Sequence, residues 1–192
     1  MSKAALRGAA IARRDTLTSA ERERASAAIS ERAIAIVEDS GARVIAAYMP
    51  IWSEVDVRPV ISWAHDNGLT VVLPAVIDNT TIAFRRHEEG GPLDEGRFGT
   101  QAPPAHAEIV RPDLIVSPTI AFDRTGMRLG YGGGFYDRAF AKLREGGDPP
   151  ILVGLAFAAQ EVPAIPAERH DVRMDWIVTE NEALDFRRAL KG

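Results

Sequence analysis

Val44-Ile45-Ala46-Ala47-Tyr48 is a short, unbroken apolar run that follows a segment of a different rhythm. Upstream, Ile29, Ala33, Ile36 and Val37 recur at intervals of three and four, so the period changes from amphipathic helix to buried strand within a few residues. The change recurs downstream. Leu69 to Leu73 reads as a buried strand closed by Pro74, Leu114-Ile115-Val116 as another after the Pro112-Asp113 break, and Ile151-Leu152-Val153 and Trp176-Ile177-Val178 as two more. Thr81 to Arg85 is a further strand candidate. Helices are expected over residues 3–17 with Ser2 as cap, and from the capping box Thr18-Ser19-Ala20-Glu21 to about Asp39, before Ser40-Gly41. A third can start at Pro59 and end near Asn67-Gly68, and a fourth runs from about Gly134 to Glu145. Strands alternating with helices predict an α/β fold with a mainly parallel sheet covered on both faces, three layers in all. Residues 87–112, with Gly90-Gly91-Pro92 and Pro103-Pro104, form the longest irregular tract, which reads either as a functional loop or as a surface insertion.

The 192 residues are expected to form a single domain, 1–192, with no internal repeat and no linker. Hydrophobic residues at 46% and charged residues at 26% exclude disordered and fibrous classes. Lys+Arg 23 against Asp+Glu 27 gives a formal charge of -4, the wrong sign for a protein held to nucleic acid by charge alone, so any anion site must be local. Cys 0 removes disulfides, thiolate nucleophiles and zinc–thiolate sites, and fits a reducing compartment. No apolar stretch is long enough to span a membrane. Met1 to Arg14 is basic and free of acids like an organellar presequence, but Asp15, Glu21 and Glu23 interrupt it, and the segment is taken as part of the fold.

The most informative chemistry lies in Gly126-Met127-Arg128-Leu129-Gly130-Tyr131-Gly132-Gly133-Gly134-Phe135-Tyr136-Asp137-Arg138. So many glycines cost conformational entropy, and what they offer is close backbone approach and a row of N–H groups. Here the row runs into a helix N-terminus, which favours a bound anion, phosphate above all. Neither the Walker A ending nor the dinucleotide spacing is present, so the loop reads either as an anion cradle or as a tight structural turn. Arg128 supplies a planar fork for phosphate oxygens, and Asp137 in the first helical turn can hold Mg²⁺ or simply complement the helix dipole. Lys3, Arg7 and Arg14 share one helix face, where their repulsion is either answered by a bound polyphosphate or relieved by water. Glu54 lies just after the first strand, at the sheet edge where ligands of open α/β folds collect. Asp171 follows His170 and reads as a site residue or as half of a capping pair. His65, His87 and His106 show no ligand spacing, and no Gly-x-Ser-x-Gly elbow occurs.

The run Pro112-Asp113-Leu114-Ile115-Val116-Ser117-Pro118, then Ala121-Phe122-Asp123, then Arg128 to Arg138 resembles the signature of the 5-formyltetrahydrofolate cyclo-ligase family. Lys3-Ala4-Ala5-Leu6-Arg7 is similar to the family's opening. Tyr48-Met49-Pro50 with Glu54-Val55-Asp56 fits its first-strand loop, and His170-Asp171, Met174-Asp175 and Val178-Thr179-Glu180 fit its closing segment. The resemblance covers nearly the whole chain. It implies a three-layer α/β/α sandwich of the NagB/RpiA/CoA transferase kind. It also implies an ATP- and Mg²⁺-dependent ring closure of 5-formyltetrahydrofolate to 5,10-methenyltetrahydrofolate, with release of ADP and phosphate.

Residue by residue, the resemblance implies that Lys3 and Arg7, with the segment Arg128, Leu129, Gly130, Tyr131, Gly132, Gly133, Gly134, Phe135 and Tyr136, hold ATP. Arg128 and Tyr136 would serve the transfer itself, and Asp137 and Asp171 would hold Mg²⁺. Met49 and Glu54, with Tyr131 to Phe135, would line the folate site, Glu54 meeting the amino edge of the pterin. The expected partners are the folate and ATP alone, for a cytoplasmic monomer without nucleic acid or membrane. Ala102 where a glutamate is usual, Ser117-Pro118-Thr119, and Phe135 in place of tyrosine depart from the family pattern and bear on substrate preference. A nucleotide-binding regulatory module, a divergent family member acting on another substrate, and a sugar-phosphate isomerase or CoA transferase on a related fold are the competing expectations.

Overall fold

The computed structural model describes residues 1–187. Helices α1 (Lys3–Asp15) and α2 (Ser19–Ser40) precede strand β1 (Val44–Ala46), helix α3 (Arg58–Asp66) and the hairpin β2 (Thr70–Val76) and β3 (Ile82–His87). Then come the small hairpins β4 (Asp94–Glu95) with β5 (Gln101–Ala102), and β7 (Ala121–Phe122) with β8 (Arg128–Leu129), on either side of strand β6 (Leu114–Pro118). Helix α4 (Phe135–Glu145), strands β9 (Ile151–Leu155) and β10 (Trp176–Val178), and the edge strand β11 (Ala183–Asp185) complete the described chain.

The main sheet has the order β11-β10-β9-β6-β1-β2-β3. The five strands from β10 to β2 are parallel to one another, and only the edge strands β11 and β3 run antiparallel. The apolar runs alternate across this sheet. Ile45, Val71, Leu73, Leu114, Val116, Val153 and Leu155 pack with Ile29, Ala33, Ile36 and Val37 of α2 and Val60, Ile61 and Ala64 of α3. Ala46, Val72, Ile115, Leu152 and Ile177 face the other way, onto Phe140 of α4 and onto Phe122, Met174 and Phe186. Strands buried on both faces have no polar phase to display, which is why they read as continuous apolar runs. Three layers result, as the alternation of elements required.

Helix α1 belongs to neither layer. Its Leu6 and Ala10 pack with Ile120, Ala121, Leu129, Val162 and Ile165, which places it across the β7–β8 hairpin. The capping box of α2 forms as read, Thr18 and Glu21 exchanging bonds, and Gly41 closes the helix at φ 68°.

Three expectations need correction. The second strand does not close at Pro74 but continues to Val76, pairing with β3 as an antiparallel hairpin. Thr70 and Val72 bond towards β1, so Pro74 turns its missing N–H to the same side, beyond the last β1 residue that could have used it. The strand expected over Thr81 to Arg85 runs Ile82–His87. The tract 87–112 is not wholly irregular, since β4 and β5 pair within it around a tight turn at Arg97–Gly99.

Candidate active site

β1 sends the chain to one side of the sheet, through α3 to β2, whereas β6 lies on its other side. The carboxyl ends of β1 and β6 therefore flank a topological switch point, the crevice where open α/β sheets collect ligands. A cavity of about 660 Å³ opens there. Tyr48 and Met49 enter its wall from the end of β1, Pro118 from the end of β6, and Gly130 to Arg138 from the glycine loop and the start of α4.

The glycine loop is shaped by backbone requirements. Gly132 has φ 103° and Gly134 φ 66°, values that favour glycine, and Gly134 is the N-cap of α4 without any side-chain cap. No acceptor among the described residues takes the backbone N–H groups of Tyr131 to Gly134. Unused donors at a helix N-terminus, on a wall of the cavity, fit an anionic guest better than a purely structural turn.

Arg128 is the cation beneath this loop. Its side chain is 1% exposed, its Nε has no partner, and Nη1 reaches the Pro118 carbonyl only at 3.3 Å. The guanidinium lies 5.3 Å from the ring centres of both Tyr136 and Phe140, and 3.9 Å from Asp137. Burial pulls its proton affinity below the ordinary arginine value, against the attraction of Asp137, yet a guanidinium stays charged. A buried cation with an idle donor is a costly thing to hold unless an anion completes it. Burial likewise pushes the Tyr136 hydroxyl well above its ordinary value, Arg128 opposing, so that hydroxyl is a donor and not a base.

Helix α1 brings two cations, Lys3 and Arg7, to the same cavity and buries a third, Arg14. Lys3 donates to both oxygens of Asp171, at 2.9 and 2.6 Å, and lies 3.2 Å from Glu168. Arg7 Nε donates to the Gly130 carbonyl at 2.7 Å. Arg14 is buried beside Tyr131 and Glu54. The face that looked self-repelling in sequence is thus spent on three separate segments of the site.

The motif acids divide into two groups. Asp113 accepts the N–H groups of Arg43 and Val44, Asp123 those of Thr125, Met127 and Ile165, Asp175 that of Leu152 and Glu180 that of Ala158. These hold the scaffold. Asp137, in contrast, accepts no hydrogen bond among the described residues and faces only Arg128. Asp171 also lines the cavity, with its oxygens on Lys3 and on the N–H of Glu168. No group of three His, Cys, Asp or Glu side chains gathers into a metal cage among the described residues. A Mg²⁺ ion suits such a site, because it takes one or two carboxylates and fills its octahedron with substrate oxygens and water.

Glu54 accepts the Ile51 N–H at 2.9 Å, and burial raises its proton affinity against the opposing pull of that bond, Tyr131 and Arg14. Met49 and Phe135 also line the cavity, so every site residue expected from the sequence lies along one wall system. Sequence reasoning missed the rim. Trp52 and Phe98, exposed by 74% and 65%, line the same cavity, and Trp52 meets Tyr131 edge-on at 5.3 Å. Both have positive φ, 52° and 63°, and among the described residues no other non-glycine does. Strain of that kind concentrates at ligand sites. No sequence signal marks an aromatic residue in a left-handed conformation. His65 and His87, set aside for lack of ligand spacing, are brought to 3.1 Å, but from α3 to β3 and away from the cavity.

Comparison with known proteins agrees with this geometry. A family profile described as the 5-formyltetrahydrofolate cyclo-ligase family matches residues 1–180. A 5-formyltetrahydrofolate cyclo-ligase of Haemophilus influenzae is 31% identical over 165 residues, covering 83% of this chain and 87% of that protein. One of Mycolicibacterium smegmatis is 30% identical over 187 residues, covering 93% of each. The solved 5,10-methenyltetrahydrofolate synthetase of Aquifex aeolicus superposes with a TM-score of 0.79 at 31% identity, over 97% of this chain and 94% of that one. That of Mycoplasma pneumoniae gives 0.77 at 25% identity, over 94% and 99%. A family profile over nearly the whole chain, relatives at about a third identity over most of their length, and the same fold in two solved synthetases agree: the chain belongs to the 5-formyltetrahydrofolate cyclo-ligase family and is an enzyme of that type.

Proposed function

We propose that the chain converts 5-formyltetrahydrofolate to 5,10-methenyltetrahydrofolate at the expense of ATP, in the cavity between β1 and β6. The observation that carries the reading is the pairing of idle backbone N–H groups in Tyr131 to Gly134 with the buried, incompletely bonded Arg128. A triphosphate laid along the loop satisfies both. Lys3 and Arg7 reach the cavity from α1, Arg7 directly against the loop at the Gly130 carbonyl, positioned to meet the charge of the triphosphate. Mg²⁺ held at Asp137, with Asp171 nearby, would neutralise charge on the phosphate oxygens.

The chemistry asks for little else. A formyl oxygen is a poor leaving group. Moving the γ-phosphoryl group onto it makes that oxygen part of a phosphate, ADP departs, and N10 of the folate attacks the formyl carbon. The C–O bond breaks, N10 gives up its proton, and phosphate leaves as the ring closes. Alignment and charge neutralisation dominate such a transfer, so the lack of a nucleophilic cysteine costs nothing. Arg128 serves the transferring group, and Tyr136 shields it from water and keeps the guanidinium in place. Met49, Glu54 and Tyr131 to Phe135 form the folate side, where Glu54 accepts N–H groups of the pterin. We read the working form as a cytoplasmic monomer.

The test is direct. Purified protein with 5-formyltetrahydrofolate and MgATP should develop the ultraviolet absorbance of the methenyl product, with one ADP and one phosphate per ring closed. Nucleotide binding without that absorbance would sink the assignment of substrate while leaving the phosphate loop.

A further inference from the structure

Arg138, in the first turn of α4, joins two segments far apart in sequence. Its Nη2 donates to the Gly133 carbonyl and its Nε to the Thr80 carbonyl, both at 2.7 Å. The guanidinium lies 5.3 Å from the Phe135 ring centre and close against Gly134, where a Cβ would stand 2.7 Å from Nη1. Thr80, in the turn between β2 and β3, is itself held: Asp78 Oδ1 accepts the N–H groups of Thr80 and Thr81 at 2.7 and 2.9 Å. One planar fork thus ties the end of the glycine loop to a fixed point on the sheet, a task that suits a guanidinium and not an ammonium.

The consequence follows from peptide geometry. The C=O and N–H of a trans peptide point in opposite directions, so a Gly133 carbonyl held by Arg138 turns the Gly134 N–H away from that side chain. This N–H has no acceptor among the described residues. The peptide has glycine on both sides, so no side chain opposes its rotation. Flipped, it would set a carbonyl oxygen where the N–H had been, and an acceptor repels a phosphate. Arg7 holds the Gly130 carbonyl at the other end of the loop, but there the Tyr131 side chain also restrains the backbone. The Gly133–Gly134 peptide has its lock in Arg138.

We propose that Arg138 is a positioning residue for the phosphate loop: its fork across the Gly133 and Thr80 carbonyls locks the Gly133–Gly134 peptide with the Gly134 N–H presented to the anion. The proposal rests on the phosphate reading of the loop above, in which Arg138 has no part. Arg138 acts through the loop, by setting the fraction of molecules whose donors already face the ligand, and apparent affinity scales with that fraction.

Calorimetric titration with MgATP, without folate, compares the wild type with Arg138→Met and Arg138→Lys. Arg138→Met should bind about tenfold more weakly, the loss expected when about a tenth of the molecules keep the peptide competent. Arg138→Lys keeps the charge and gives up the fork, so it should remain at least about fivefold weaker than the wild type. Full recovery in Arg138→Lys would show that charge alone draws the phosphate and would overturn the proposal, as would equal affinities in the wild type and Arg138→Met. In turnover, the KM for MgATP should rise in both variants while that for 5-formyltetrahydrofolate stays within about twofold, and the melting temperature of the free protein within about 2 °C. Parallel rises in both KM values with a lower melting temperature would make Arg138 a structural residue and refute the positioning role. Should neither variant fold, Asp78→Ala carries the test from outside the cavity wall. It loosens the turn that presents the Thr80 carbonyl, so MgATP should bind about threefold more weakly, and an unchanged affinity refutes the tether. A wild type that binds no MgATP would refute the phosphate reading itself, an outcome distinct from binding that the variants leave unaltered.

Discussion

Arg128→Met separates what the buried arginine costs the fold from what it contributes to the site. The substitution keeps the length of the side chain and removes its charge. In the free protein the guanidinium has forfeited its hydration, and its returns are a 3.3 Å bond to Pro118, two ring faces at 5.3 Å and an aspartate at 3.9 Å. Each ring face contributes about 1 kcal/mol and the long bond less. Desolvating a cation costs several kcal/mol, and replacing a buried charge by a well-packed apolar side chain is typically neutral to stabilising by about 1–4 kcal/mol. Asp137, a quarter exposed, can do without its distant partner. We therefore expect the free variant to gain about 1 kcal/mol, a rise in melting temperature of about 2–4 °C for a chain of this size. Saturating MgATP should raise the wild-type melting temperature and leave the variant unmoved, because a ligand stabilises only the state it binds. Turnover should be lost. Differential scanning fluorimetry with and without MgATP, beside the absorbance assay, reads all three. A variant that melts several degrees lower and still responds to MgATP would make Arg128 a structural residue and refute the reasoning.

Asp137→Asn should lose more than a hundredfold in kcat while the melting temperature stays within about 1 °C, since the carboxylate accepts no hydrogen bond that the amide would break. Gly134→Ala places a Cβ 2.7 Å from Arg138 Nη1 at φ 66°; we expect a loss of about 1–2 kcal/mol in urea unfolding, with a larger relative loss in nucleotide binding as Arg138 leaves the Gly133 and Thr80 carbonyls. His87 is held below its ordinary proton affinity by burial and then by His65. The native state therefore binds fewer protons than the unfolded chain, so this stability is present above the unfolded value near pH 6.5 and is lost as pH falls through the lower native one. Urea midpoints should drop between pH 7 and 5 in the wild type, and less so in His87→Gln.

The sheet was legible because its central strands are apolar on both faces and its helices carry their own starts and stops, at Thr18 and Pro59 and at Gly41. The antiparallel hairpin of β2 and β3 was not, because proline was read as a strand end. Proline ends a strand only where a neighbour needs its N–H, and β1 is too short to need it at Pro74. The site residues carried by glycine spacing and by the resemblance were legible for a similar reason: backbone that must approach a ligand leaves a mark in composition. Trp52 and Phe98 left none, since their left-handed conformations depend on loops that sequence spacing does not describe. The motif acids showed the converse difficulty. Asp113, Asp123, Asp137 and Asp175 look alike in sequence, and only the count of N–H groups each accepts tells scaffold from site.

That distinction also orders the two aspartates assigned to the metal. Asp171 spends both oxygens on Lys3 and one of them also on the Glu168 N–H, so it cannot offer a free face to a cation while Lys3 remains closed upon it. Asp137 can. An ammonium has three donors, and Lys3 can turn one to a phosphate oxygen without abandoning Asp171. Arrival of a polyphosphate at the loop would thus draw charge from Lys3, loosen its hold on one Asp171 oxygen, and release that oxygen to the metal the phosphate brings with it. The arrangement predicts ordered participation: Asp137→Asn should abolish metal dependence of nucleotide binding outright. Asp171→Asn should leave weak metal-dependent binding and also free Lys3, so that metal-free nucleotide binds more tightly than in the wild type. Calorimetric titration of both variants with ATP, with and without Mg²⁺, decides it. An Asp171→Asn variant with weaker metal-free binding would show that Lys3 needs Asp171 to hold it in place, and that the exchange does not occur.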